Sequence, residues 1–61
     1  MYEKFEKLLK ERGLTTAEVA QATGIRQSVF SNWKKRRGHL NFENMMKVAA
    51  FFEIPVSDLL P

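Results

Sequence analysis

The 61-residue chain contains no cysteine, one histidine, two prolines and three glycines. Without cysteine it can form neither a disulfide nor a thiolate metal site, which is typical of proteins from a reducing, intracellular compartment. No stretch approaches the roughly 20 consecutive apolar residues that span a bilayer. The N-terminus "MYEKFEKLLKER" mixes acidic and basic side chains, unlike a signal peptide. We therefore expect a soluble, cytoplasmic protein without a membrane segment.

Side chains that carry catalysis are scarce as well. The only histidine, His39, has no partner at the spacing of a metal site or a catalytic triad. Paired carboxylates and a glycine-rich phosphate loop are also missing. The sequence therefore predicts no enzymatic activity, no metal, no cofactor and no small-molecule ligand.

The length of the chain limits its organisation. It forms one domain at most, and it hides only about 60% of the surface that its unfolded form exposes. Neither a linker nor an internal repeat divides it. We therefore expect a single domain of modest stability over residues 1–61.

Helical periodicity and capping residues indicate an all-α fold. Apolar side chains recur at helical spacing through residues 2–12, and Gly13 follows as a stop. The segment "TTAE", residues 15–18, is a capping box that opens a second helix. Gly24 is placed to end that helix in a left-handed conformation.

Three further helices are expected. Residues 27–35 carry Phe30 and Trp33 three apart, which gives this segment one apolar, core-facing side. Asn41 is placed to cap a fourth helix, and a fifth begins at Pro55 or Val56. The fourth helix bears the most apolar stripe, with five residues at helical spacing: Phe42, Met45, Met46, Ala49 and Phe52. Its methionines, together with Phe51 and Phe52, could line a ligand pocket, but such residues far more often form the core of a small bundle.

Charge is unevenly distributed along the chain. Ten basic and seven acidic residues give a formal net charge of +3. Five of the basic residues and none of the acidic ones lie within residues 26–39, which leaves a net charge of −2 elsewhere. A charge run is usually a solvated face. By itself it leaves open whether this one contacts nucleic acid, an acidic protein partner or only solvent.

Residues 16–35 resemble the Cro/repressor-type (phage repressor-like, XRE-type) helix-turn-helix of phage and bacterial regulators. The motif's small and apolar positions are occupied by Ala20, Gly24, Ile25, Phe30 and Trp33. The flanking segments "LLKERGLT" and "NFENMMKVAAFFEIPVSDLL" are similar to the family's other helices. The resemblance implies a compact five-helix, lambda-repressor-like domain that binds a double-stranded DNA operator, in the manner of a repressor. Two positions depart from the pattern, because Arg26 replaces the usual Ser or Thr cap and Thr23 replaces leucine.

The resemblance also implies that the third helix, residues 27–35, lies in the major groove with its early residues at base edges. Carboxamides match the donor and acceptor of adenine, hydroxyls serve either role, and valine can contact a thymine methyl. Alone, each such residue is more often merely solvated, but together at a helix start they favour recognition. The implied base contacts are Gln27, Ser28 and Asn32, with Val29 and Ser31 beside them.

Phosphate contacts are implied on either side of these residues. Phosphates position a protein without reading sequence, so lysine and arginine suffice for this role. The family holds phosphates through the loop after the recognition helix and near the start of the motif's first helix. The candidates are Thr16, Arg26, Lys35, Arg36, Arg37 and His39, ahead of Lys34.

The sequence alone leaves open the oligomeric state, an alternative function and whether the chain is a complete regulator. One recognition helix reads too few base pairs to be specific in a genome, and relatives form two-fold dimers on palindromic sites. They pair near the positions of Ile54, Pro55 and Val56, where this chain offers a small apolar surface. The alternative function is an antitoxin-like protein-interaction module whose basic face binds an acidic partner. The length suits either a small complete regulator or the N-terminal domain of a longer repressor.

Overall fold

The computed structural model describes residues 2–35 and 38–59. This part of the chain contains four α-helices and no strand, which confirms the all-α prediction. The elements are α1 (Tyr2–Arg12), α2 (Thr16–Thr23), α3 (Gln27–Lys34), α4 (Phe42–Phe52) and a short 3-10 helix (Val56–Leu59).

The predicted fifth helix is wrong, because Val56–Leu59 form only a single 3-10 turn. The Asp58 amide donates to the Pro55 carbonyl at 3.0 Å, which is an i to i+3 bond. Four residues are too few for a ladder of i to i+4 bonds. Leu59, which is completely buried, fixes the segment against α1 and α4. Packing rather than helix propensity therefore determines its conformation.

The predicted caps of α2 and α4 are confirmed. The Glu18 amide donates to the Thr15 hydroxyl at 3.2 Å, and the Thr15 amide donates to the Glu18 carboxylate at 3.0 Å. At the start of α4, the Asn44 amide donates to the Asn41 side chain at 2.8 Å. Each bond satisfies an amide that has no partner within its helix. By contrast, Arg26 precedes α3 without a side-chain capping bond.

Helices α1 and α4 end in the same way. After α1, Gly13 has a φ of 64° and the Leu14 amide donates to the Leu9 carbonyl at 2.9 Å. After α4, Glu53 has a φ of 58° and the Ile54 amide donates to the Ala49 carbonyl at 3.0 Å. This left-handed ending usually uses glycine, because other residues are strained there. The sequence pattern does not predict that a glutamate adopts it.

Aromatic side chains form the centre of the core. Phe5 is completely buried, and its ring centroid lies 5.1 Å from that of Phe30, 5.4 Å from that of Trp33 and 6.1 Å from that of Phe52. These rings come from α1, α3 and α4, so one side chain joins three helices. Trp33 is only 3% exposed, which confirms its predicted place in the core.

The apolar stripe of α4 is only partly buried. Met45 and Phe52 lie in the core, as expected, together with Val48 and Ala49. The expected core positions of Met46 and Phe51 are wrong, because these side chains are 52% and 37% exposed, and Phe42 is 62% exposed. At about 100° per residue these three flank the buried stripe instead of facing the core.

One basic residue is used inside the fold. The Arg12 guanidinium donates to the Phe52 carbonyl at 3.2 Å and lies 5.6 Å from the centroid of the Phe52 ring. The bond satisfies one of the last carbonyls of α4, which have no partner within the helix. Arg12 therefore connects the C-terminal ends of α1 and α4.

We expect Ala20→Leu to destabilise the fold by about 1–3 kcal/mol, because extra methylene groups in a packed interior force backbone shifts. Ala20 is 8% exposed on α2, the helix that packs against both α3 and α4. Ala22→Leu is the matched control, since Ala22 is exposed on the same helix, and its effect should stay within about 0.5 kcal/mol. Urea melts measure both variants, and equal midpoints would show that α2 tolerates a larger side chain at position 20.

Candidate nucleic-acid interface

The turn between α2 and α3 is fixed by backbone and hydroxyl bonds. Gly24 has a φ of 77°, and its amide donates to the Ala20 carbonyl at 2.9 Å. This confirms the predicted left-handed ending of α2, where a side chain would be strained. The Thr23 hydroxyl donates to the Val19 carbonyl at 2.8 Å and accepts the Ile25 amide at 3.4 Å. Thr23 thus stabilises the turn through hydrogen bonds of its side chain.

The orientation of α3 follows from its buried residues. Phe30 and Trp33 are 1% and 3% exposed and face the core, while Val29 is half-buried beside them. The remaining side chains must therefore face outward, since successive residues turn by about 100°. The outward face consists of exposed residues with three short polar side chains and one cation: Ser28, Ser31, Asn32 and Lys35. The predicted core-facing side of this helix is confirmed.

A groove runs beside that face, between the start of α2 and α3. It has a volume of about 150 Å³ and brings together residues from three helices: Tyr2, Thr16, Gln27, Phe30, Ser31 and Lys34. Thr16, predicted to contact phosphate, therefore borders the same groove as Gln27 and Ser31, which were predicted near bases. Of the predicted base contacts, Ser28 and Asn32 lie on the outward face and do not line the groove.

Sequence reasoning assigned no role at the interface to Tyr2, which the structure places in the groove wall. Its ring makes edge contacts with Trp33 at 5.3 Å and with Phe5 at 5.7 Å between centroids. The signal that could have found it is the spacing to Phe5, three residues later on the same face of α1. A tyrosine at the edge of such a stripe buries its ring and leaves its hydroxyl for a polar partner.

The described cations around α3 are free of internal partners. Arg26, Lys34 and Lys35 are exposed, and none of them pairs with a carboxylate of residues 2–35 or 38–59. Arg36 and Arg37, which were also predicted to contact phosphate, lie outside the described residues. The positive charge of Arg26, Lys34 and Lys35 is therefore not neutralised by any carboxylate of the described residues.

The connection to α4 is attached to the core near its end. Leu40 is 1% exposed, while its neighbour His39 is exposed. Asn41 then caps α4. Anchoring at Leu40 places His39 on the surface between α3 and α4, where a loop that contacts phosphate would lie.

Two further kinds of site were sought among the described residues, a metal site and a membrane-spanning helix. Within them, no three side chains of the metal-ligating types cluster. None of the helices described combines the length and the apolar character needed to cross a membrane.

Two helices joined by a tight turn, with a polar outward face on the second helix, define a helix-turn-helix protein. Residues 4–61 match the family model of the Cro/C1-type HTH DNA-binding domain, and the chain belongs to this family. Such domains are DNA-binding regulators and not enzymes, and membership implies binding of double-stranded DNA. No curated protein and no solved structure matches the chain.

Proposed function

We propose that the chain is the sequence-specific DNA-binding domain of a transcriptional repressor of the phage or bacterial type, with α3 in the major groove of its operator. This proposal rests mainly on the outward face of α3, which is polar and lacks acidic side chains. Lys35 on this face, and Arg26 and Lys34 beside it, have no carboxylate partner among the described residues. A major groove about 12 Å wide admits an α-helix. Repression needs only occupancy of the operator, and we place this activity in the cytoplasm.

Base recognition rests on the first two turns of α3. Ser28 and Asn32 are one turn apart on the outward face. Both therefore reach the base edges on the floor of the DNA major groove when α3 lies in it. Asn32 has the donor and acceptor that adenine presents, and Ser28 can donate or accept. Gln27 and Ser31 lie nearer the groove that Thr16 borders. Half-buried Val29 leaves only part of its side chain for a thymine methyl.

Phosphate contacts come from residues on either side of that face. Thr16 begins α2, and Arg26 and Lys35 bracket α3. With His39 on the surface between α3 and α4, they form a band of donors around the recognition residues. Arg36 and Arg37 extend this band in sequence. Their contribution is electrostatic and independent of sequence.

Selection of bound duplexes from a random pool tests the function. We expect one preferred sequence, bound at least about 10³ times more tightly than unrelated DNA at physiological salt. Salt-sensitive binding without any sequence preference would reject the repressor function. That result would favour the alternative, a helical module whose basic face binds an acidic protein.

Lys35→Ala should weaken binding to the selected duplex and to random DNA by similar factors. It should also reduce the slope of log affinity against log salt by about 0.9, because one counterion fewer is released. Lys47→Ala is the control, since it removes the same charge from α4, where Lys47 lies 3.8 Å from Glu43. An unchanged slope in Lys35→Ala would show that Lys35 is only a solvated cation.

We also propose that two copies bind a palindromic operator. The surface carried over from relatives is small, because Ile54 and Val56 are half-buried against this chain's own core and only Pro55 is exposed. Weak self-association in solution and cooperative pairing on DNA are therefore expected. Sedimentation with a selected duplex decides this, and a one-to-one complex on two intact half-sites would contradict the dimer.

A further inference from the structure

The groove beside α3 contains two further donors, of which Tyr2 has no role in the assignments above and Lys34 ranks behind the other phosphate candidates. Tyr2 comes from the first turn of α1, and Lys34 from the last turn of α3. Both line the groove together with Thr16, Gln27 and Ser31. The helix-turn-helix motif itself, residues 16–35, does not include α1. The groove therefore joins the motif to a helix outside it.

The side chains that line this groove suit an anion. They supply one ammonium, three hydroxyls and one carboxamide, and none of them is a carboxylate. The buried ring of Phe30 forms the apolar part of the lining. The volume of about 150 Å³ is well above the roughly 30 Å³ share of a single water molecule, so a phosphate group fits.

Tyr2 is held in place before any ligand arrives. Its ring lies 5.3 Å from that of Trp33 with an interplanar angle of 85°, and 5.7 Å from that of Phe5 with an angle of 62°. Edge contacts with two buried rings restrict the rotamers of Tyr2. Binding through its hydroxyl therefore costs little side-chain entropy, in contrast to a long surface side chain.

We propose that Tyr2 and Lys34 together hold one backbone phosphate of the DNA in this groove, which makes α1 part of the DNA-binding surface. The inference rests on the proposed DNA-binding function and extends it. The Tyr2 hydroxyl donates to a phosphate oxygen, and the Lys34 ammonium supplies the charge. Because α1 also carries Phe5 in the core, this contact fixes the recognition helix and the body of the protein to the same strand.

Two variants separate the neutral contact from the charged one. Tyr2→Phe keeps the ring and its packing, so it should fold normally and bind the selected and random duplexes about three- to tenfold more weakly, with an unchanged salt slope. Lys34→Ala should weaken binding to the selected and the random duplexes by a similar factor, and it should reduce the slope of log affinity against log salt by about 0.9. Ser57→Ala and Lys10→Ala remove an exposed hydroxyl and an exposed ammonium elsewhere, and they should bind like the wild type.

Single methylphosphonate substitutions along the selected duplex locate the phosphate. At one position the neutral methylphosphonate should weaken DNA binding by the wild-type protein. Tyr2→Phe and Lys34→Ala should lose little further affinity at that position, because they already lack the contact. Sequence-selective wild-type binding combined with unchanged affinity of Tyr2→Phe would overturn the inference and leave the proposed function intact. The inference would also be overturned if, at every position, the methylphosphonate weakened binding by Tyr2→Phe and Lys34→Ala as much as it weakens binding by the wild type. Absence of any wild-type preference among duplexes would instead reject the function itself.

Discussion

Replacing Phe5 with alanine is expected to leave most of the protein unfolded at room temperature. Truncation of a buried phenylalanine typically costs about 3–5 kcal/mol. A single core in a chain below about 70 residues rarely supplies more than about 3–5 kcal/mol in total. Phe5 is completely buried and its ring contacts the rings of Phe30, Trp33 and Phe52. Its loss therefore removes about as much free energy as the fold has.

The same residue type provides the control for this experiment. Phe42→Ala removes a side chain that is 62% exposed on α4 and should change the free energy of unfolding by less than about 0.5 kcal/mol. The fluorescence of Trp33, the single tryptophan, reports unfolding in urea because its ring is buried beside that of Phe5. A Phe5→Ala variant with the same urea midpoint as Phe42→Ala would contradict the central place of Phe5.

Asn32→Ala should cost about 1–3 kcal/mol of binding free energy on the selected duplex and relax the preference at one base pair. Asn32 is exposed on the outward face of α3, and no bond of its side chain holds the fold together. Removing its carboxamide leaves the base without its matched donor and acceptor, whereas random DNA loses no such pair. Specific and random binding should therefore change by different factors, unlike in the lysine variants.

A second carboxamide serves as the reference for Asn32. Gln21→Ala removes an exposed side chain from α2, and it should leave both the affinity and the selected sequence unchanged. Repeating the duplex selection with Asn32→Ala measures which base pair loses its preference. The base-reading role of Asn32 would be disproved by a selected sequence identical to that of the wild type.

The helix ends that depend on local chemistry could be predicted from the sequence. Thr15 with Glu18 and Asn41 supply their own capping bonds, and Gly24 enters the left-handed region without strain, so neighbouring residues suffice to predict these ends. The alternation of buried and exposed positions in α3 also follows from its 3.6-residue period. The exposed side of the candidate DNA surface was predictable for this reason.

Features that depend on tertiary packing could not be predicted in the same way. Nothing local distinguishes Met46 from Met45, and only the packing of α4 leaves the first exposed and buries the second. The left-handed Glu53 depends on Ile54 packing against the core after the turn. Tyr2 joins the groove because α1 folds back beside α3, which no spacing in the sequence shows.

The missing side-chain cap of α3 affects how the recognition surface behaves before it meets DNA. An eight-residue helix is too short to be stable alone, and the packed rings of Phe30 and Trp33 belong to its middle and end. Its first turn carries Gln27 and Ser28, and the Val29 amide closes it on the Arg26 carbonyl at 3.0 Å, which is an i to i+3 bond. Local opening there costs less free energy than global unfolding, so we expect Gln27 and Ser28, the proposed base contacts, to exchange their amide hydrogens faster than the rest of α3. We therefore expect part of the binding free energy to be used to order this turn when DNA binds.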